Sequence, residues 1–286
     1  MLRSMYTGIS GMKGFQTKLD VVSNNIANVN TFGFKKGRYT FSDLMSQTMQ
    51  GASGPVTNAA GDPTLGGRNP MQVGLGTTTG SIDNIHTQGN RQTTNRPLDL
   101  AIEGDGMFAT AESNNGTDAI DIEDDDISFT RAGNFYFDDD GYIVTSGGRY
   151  LIGEVDGVTS RLQLPPDAQS FSIDGNGMVN YVDGDGQPDT VGQIYLANFS
   201  NPEGLDKVGA NSYKLSNNSG EVENDYLYTP GDGGTGSLFA GALEMSNVDL
   251  SEEFTEMITA QRGFQANTRV ITTSDEILQE LVNLKR

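Results

Sequence analysis

Both ends of the chain carry an apolar stripe at helical spacing, and a fold that must house a long amphipathic helix at each terminus has few options. At the start, Leu2, Met5, Ile9, Met12, Phe15, Leu19, Val22, Ile26 and Val29 recur at steps of three and four. That period places them on one face of a helix, with the spacing of a coiled-coil seam. At the other end Leu250, Phe254, Met257, Phe264, Ile271, Leu278 and Leu281 do the same, with Gln261 and Thr268 in intervening seam positions. Asp249 followed by Glu252 reads as a capping box that starts this second helix. One such stripe is what an ordinary core helix carries. Two of them, with net charges of +4 over residues 1–45 and −3 over residues 246–286, fit better a paired bundle that takes further partners.

Between the helices the pattern changes. Ser46 to Asn69 is rich in Gly, Ser, Thr, Asn and Pro and reads as a loop or extended linker without a core. From Val73 short apolar runs alternate with turns, and Leu98/Leu100/Ile102, Phe171/Ile173 and Tyr213/Leu215 show period two, the mark of half-buried strands. Asp138-Asp139-Asp140-Gly141 between Asn134–Phe137 and Tyr142–Thr145 predicts a hairpin, and Asp174-Gly175-Asn176-Gly177 a second turn. Asn201-Pro202-Glu203 predicts a short capped helix. The expected fold is α+β: residues 1–30 and 249–286 as a coiled-coil-like helical polymerisation domain, 31–72 as a connecting segment, 73–229 as a mainly β outer domain, and 230–248 as a Gly-rich return linker.

The net charge of −20 is concentrated in residues 46–245. Such a balance disfavours nucleic acid and anionic membrane surfaces, both of which are met by Lys and Arg. No cysteine is present, which removes disulfides, thiolate nucleophiles and zinc–cysteine sites. The N-terminal residues lack the pattern of a cleaved secretory signal, and no stretch has the roughly 20 apolar residues that span a bilayer. The chain is expected to stay in the cytoplasm or to leave by a route that keeps this end intact.

No constellation for catalysis emerges. The single histidine, His86, cannot build a His-based metal cluster or a Ser-His pair elsewhere, and reads as a strand or turn residue. Gly231-Asp232-Gly233-Gly234-Thr235-Gly236 matches dinucleotide-binding glycine spacing, but it follows a proline rather than a strand and reads as linker. Asp183, Asp185 and Asp189 have the alternate spacing that opens a calcium loop, yet the acid expected at position twelve is missing. A solvated turn is the plainer reading. Glu123 to Asp126 is a like-charge run assigned to an exposed loop. No cofactor, metal or enzymatic activity is expected.

The run Asp20-Val21-Val22-Ser23-Asn24-Asn25-Ile26-Ala27-Asn28-Val29-Asn30-Thr31-Phe32-Gly33-Phe34-Lys35 resembles the N-terminal signature of the flagellar rod and hook proteins. Asn95–Phe108, Phe129–Phe135, Leu196–Leu205, Ser246–Leu250 and Gln261–Asn267 resemble further motifs of that family, so the likeness spans nearly the whole chain. Lys35-Lys36-Gly37-Arg38 with Phe41 looks most like the hook subunit of Gram-positive bacteria. The distal rod subunit, which the family distinguishes by an extended insertion after the N-terminal helix, is the alternative. The resemblance implies a structural subunit of a hollow helical tube that transmits torque, outside the cell and exported by the flagellar type III route without a cleaved signal. Its implied partners are further copies of itself, the distal rod, hook-cap and hook–filament junction proteins, and the export apparatus. Self-assembly is assigned to Met5, Ile9, Met12, Leu19, Val22, Asn24, Asn25, Ile26 and Asn28 on the first helix, and to Leu250, Phe254, Met257, Phe264, Ile271, Leu278 and Leu281 on the last. A secreted β-rich adhesin is the rival class; it leaves the coupled terminal helices unexplained.

Overall fold

The computed structural model describes residues 2–57, 63–112, 119–120, 126–220 and 226–284. The chain divides into two compact units: a helical unit of residues 1–26, 37–83 and 250–286, and a β unit of residues 27–36 and 84–249. The class is α+β, with a mainly β centre between an N-terminal and a long C-terminal helix.

In the helical unit, α1 (Leu2–Ala27) and α2 (Leu250–Leu284) are the two expected helices. Helix α2 begins directly after Asp249, with Glu252 and Glu253 in its first turn, where carboxylates favour the positive end of the helix dipole. The segment expected as linker is instead a long two-stranded ribbon. Strand β1 (Gly37–Asp43) pairs with β6 (Thr77–Asn84), β2 (Gln47–Gln50) with β5 (Met71–Val73), and β3 (Val56–Thr57) with β4 (Pro63–Leu65). Its inner half packs on α1: Phe41 lies 5.2 Å from the Phe15 ring and 4.8 Å from Tyr39. A Cβ on Gly14 would come within 2.7 Å of Phe41, so glycine there lets the ribbon reach the helix backbone. The outer half has no such support, and every residue of β2 and β5 is exposed.

In the β unit one antiparallel sheet runs, in spatial order, through Ser170–Ile173, Met178–Val182, Pro188–Ile194, Tyr150–Val155, Met107–Glu112, Asp126–Thr130, Ser212–Lys214 and Asp206–Gly209. The strand Met107–Glu112 is covered on both faces. Phe108 joins a core with Leu100, Phe135, Leu151, Ile194 and Leu238, while Met107 and Ala109 join a second with Phe129, Phe199, Tyr213 and Tyr226. Edge-to-face pairs order these cores, Phe108 on Phe135 at 5.1 Å and Phe129 on Phe199 at 4.9 Å.

The Asp-Gly hairpin forms as expected: Phe135–Phe137 pairs with Ile143–Thr145, and the Gly141 N–H donates to the Asp138 carbonyl. The turn at Asp174–Gly177 forms likewise. Pro202–Gly204 is a single 3-10 turn, and Asn201 does not cap it; its amide donates to the Asn218 carbonyl instead. The return segment 230–248 is not a bare linker. Ser237–Ala240 pairs with Leu100–Glu103, and Ala242–Glu244 pairs with Arg91–Thr93. Gly231–Gly236 is a pair of turns in that segment. Of the acidic run, Glu123 to Asp125 lie outside the described residues. Asp126 opens a strand, where the hydrogen bond from Lys214 lowers its carboxyl pKa; burial opposes this, and the Arg149 hydrogen bond and both cationic charges add to the lowering.

Candidate self-assembly surface

Helices α1 and α2 lie antiparallel, and their closest approaches are made by residues without side-chain bulk. A Cβ on Gly8 would stand 3.2 Å from Ile271, one on Gly11 would stand 2.9 Å from Asn267, and one on Gly263 would stand 2.5 Å from the Phe15 ring. The buried positions of α2 are Glu253, Ala260 and Ser274. Thr268 donates to the Met12 sulfur at 3.3 Å, and Lys18 pairs with Glu256 at 3.1 Å. At these points a glycine of one helix receives Ile271, Asn267 or Phe15 of the other, where heptad spacing had led to the expectation of large apolar residues on both sides. Apolar periodicity marks Phe15 and Ile271 but does not register the glycines that receive them.

The expected assembly residues fall into three groups. Val22 and Asn25 are buried. Met5, Met12, Leu19, Ile26, Asn28, Met257, Phe264, Ile271 and Leu278 are half-buried, Asn28 beyond the end of α1 and within the β unit. Ile9, Asn24, Leu250, Phe254 and Leu281 are exposed. Phe254 and Leu281 each keep 50% of their surface in solvent, and Val270, Ile277 and Leu284 extend the exposed apolar surface of α2. Asn25 ties three elements of the unit together. Its amide donates to the Gly37 carbonyl at 2.8 Å and to Glu253 at 3.1 Å, and its oxygen accepts the Gly37 N–H at 2.9 Å.

The rest of the signature, residues 27–36, belongs to the β unit and closes on its C-terminal strap. Gly33 has φ +68, and a Cβ there would lie 2.6 Å from the backbone at Arg131–Ala132, so only glycine fits. Its N–H donates to the Glu244 carbonyl at 2.8 Å. The Glu244 carboxylate receives Lys35 at 2.7 Å, Arg131 at 2.6 Å and the Gly89 N–H at 2.8 Å, and all three side chains are buried. Burial pushes the Glu244 carboxyl up, but the Arg131 and Lys35 charges and hydrogen bonds outweigh it and hold the pKa below the ordinary value. Burial lowers Lys35 despite its partner. Asn247 accepts the Lys36 N–H at 2.8 Å and donates to the Ile85 carbonyl at 2.8 Å. Residues 35 and 244 stand too far apart in sequence for local pattern to join them; the one local signal is a lysine directly after Phe32-Gly33-Phe34.

His86 lines a cavity of about 440 Å³ with Lys35, Asp105, Arg131, Phe199 and Glu203. Burial and the nearby Lys35, Lys207 and Arg131 charges push its pKa down to about 4, so it is neutral at pH 7. Neither ring nitrogen has a hydrogen-bond partner. Asp183 accepts the Gly184 N–H, and Asp189 accepts from Tyr181 and Thr190, so both carboxylates serve a hairpin turn, while Asp185 is exposed in it. Among the described residues no group of three metal-binding side chains converges, and no helix is long and apolar enough to cross a membrane.

Three family profiles match along the chain: flagella basal body rod protein over residues 5–35, the D1 domain of flagellar hook protein FlgE/F/G over 101–181, and the C-terminal part of flagellar basal body rod FlgEFG protein over 240–284. The chain is 55% identical to the flagellar basal-body rod protein FlgG of Bacillus subtilis (strain 168) over 286 residues, covering all of both chains. The chain belongs to the flagellar basal-body rod and hook protein family. It is 40% identical to FlgG of Caulobacter vibrioides, over 99% of this chain and all of that one. To the flagellar hook protein FlgE of Borreliella burgdorferi it is 30% identical, and that alignment needs 450 positions to cover both chains. The rod proteins thus align end to end, whereas the hook protein matches less well and only across long gaps, so the expectation of a hook subunit gives way to that of a rod subunit. The family is a structural one, which agrees with a chain that is not an enzyme.

Proposed function

We propose that this chain is the subunit of the flagellar distal rod, a stiff hollow shaft built by helical self-assembly. The end-to-end 55% identity to a basal-body rod protein carries the reading. The ribbon of residues 37–84 supports it, standing where distal rod proteins carry their insertion. A helical polymer needs surfaces that join head to tail without closing. The exposed apolar residues of α2, with Ile9 on α1, supply one such surface. The outer ribbon supplies another: Met71 and Val73 share a face, and Met49 stands at the β-bulge beside the Gln50–Met71 pair, while Thr48 and Gln72 pair on the other side. Two strands alone are only marginally stable in water, so the cover for this half comes from a neighbouring subunit. Within this reading the terminal helices form the inner wall and the acidic β unit faces outward. Export proceeds through the flagellar channel without cleavage, and the adjoining partners are other rod and hook components.

Electron microscopy of tubes grown from the purified chain tests the proposal. Straight, stiff tubes are expected. Curved, polymorphic tubes would return the assignment to the hook.

A further inference from the structure

We propose that Met45, Met49 and Met71 make the ribbon an oxidation-sensitive element of assembly, so that peroxide-class oxidants switch off its contact with the next copy of the chain. This rests on the rod reading and deepens it. Of the ten methionines in the sequence, Met5, Met12, Met107, Met178, Met245 and Met257 are half-buried or buried. Among the described residues the three exposed methionines are Met45, Met49 and Met71, at 86%, 67% and 56%. They fall within one short stretch of ribbon. Met45 sits beside the join made by the Leu44 N–H and the Gly76 carbonyl, and Met49 stands at the bulge, next to the Gln50–Met71 pair.

Exposure makes these thioethers the accessible ones. Hydrogen peroxide transfers one oxygen to each sulfur: the O–O bond breaks, an S–O bond forms, the sulfur loses two electrons and water leaves. A flexible apolar side chain suited to filling irregular contacts becomes a polar one. A sulfoxide buried on an apolar surface without a donor is unfavourable, so the ribbon no longer seats. A neighbour covers the face once assembly has occurred, which confines the reaction to free subunits.

The full-length chain is treated with hydrogen peroxide, the oxidised sites are mapped by peptide mass spectrometry, and tube growth is followed by light scattering and electron microscopy. Expected are oxidation at the three sites first, loss of growth, and its return after treatment with methionine sulfoxide reductases. A Met45→Leu, Met49→Leu, Met71→Leu variant keeps growing after peroxide. Two results overturn the inference: wild type oxidised at all three sites that still grows normally, or a leucine variant that loses growth as wild type does. Met49→Asp separates the layers. If Met49→Asp blocks growth while oxidised wild type grows, oxidation sensitivity alone is wrong; if Met49→Asp grows normally, the ribbon contact fails and takes the proposal with it.

Discussion

The β unit encloses a core of large side chains and the Lys35–Glu244–Arg131 ions, whereas the helical unit buries little that is large beyond Val22 and Tyr39 and leaves the apolar residues of α2 bare. Phe108, Phe129, Phe135 and Leu151 have no exposed surface, and each contributes on the order of 1.5–3 kcal/mol by burial. In the helical unit the contacts set Gly8 on Ile271, Gly11 on Asn267 and Gly263 on Phe15, while Phe254, Ile258 and Leu281 each keep half or more of their surface in water. Interior glycines weaken a helix by roughly 1 kcal/mol each relative to alanine. One unit is complete within the chain; in the rod reading proposed above, the other is completed by neighbouring subunits.

The widest gap between the units should appear in native-state hydrogen exchange of the unassembled chain. Amides of Leu2–Ala27 and Leu250–Leu284 are expected to exchange orders of magnitude faster than those of Met107–Glu112 and Asp126–Thr130. Terminal amides as protected as the sheet would erase the distinction. Next in size is Glu244→Ala, which leaves Lys35 and Arg131 buried without their carboxylate and should cost about 3–5 kcal/mol, read as a lower urea midpoint for the β unit. A smaller effect, about 1–3 kcal/mol by overpacking, is expected from Gly263→Ala, whose methyl meets Phe15. It should slow tube growth while the melting of the β unit stays put, and equal losses in both would mean that the units are coupled.

The smallest effect is one of pH. A folded-state His86 pKa near 4, against 6.5 in the unfolded chain, means that the unfolded state binds the proton first. Stability is therefore full above about pH 6.5 and is lost as pH falls toward 4. Allowing for partial solvent screening, the β unit should lose about 1–2 kcal/mol between pH 7 and pH 5. His86→Phe should flatten that slope in paired urea titrations, and an unchanged slope would remove His86 as its source.

What the sequence disclosed follows the range of the interactions involved. The terminal helices and the Asp138–Gly141 hairpin were legible because spacing and turn chemistry are local. The ribbon was not: its strands run only two to eight residues, and Gln47 finds its partner at Val73 across a Gly-rich stretch that reads as linker. The contact between the two helices was half legible. Periodicity located the helices and, among their contacts, Phe15 and Ile271, but the glycines that receive them have no side chain to count. The Lys35–Glu244–Arg131 cluster draws on three distant parts of the chain, and only folding brings them together.

The clamp at Gly33 and Glu244 governs how the β unit would meet mechanical load. The entering strap and the leaving strap are joined directly, Gly33 to Glu244 by a backbone hydrogen bond, Lys35 to Glu244 by an ion pair, and Lys36 to Asn247 by an amide. Tension applied to the two ends is therefore borne first by these few bonds and is short-circuited past the sheet behind them. The sheet can differ in size from one relative to another, or flex under drag, without lying in the line of force.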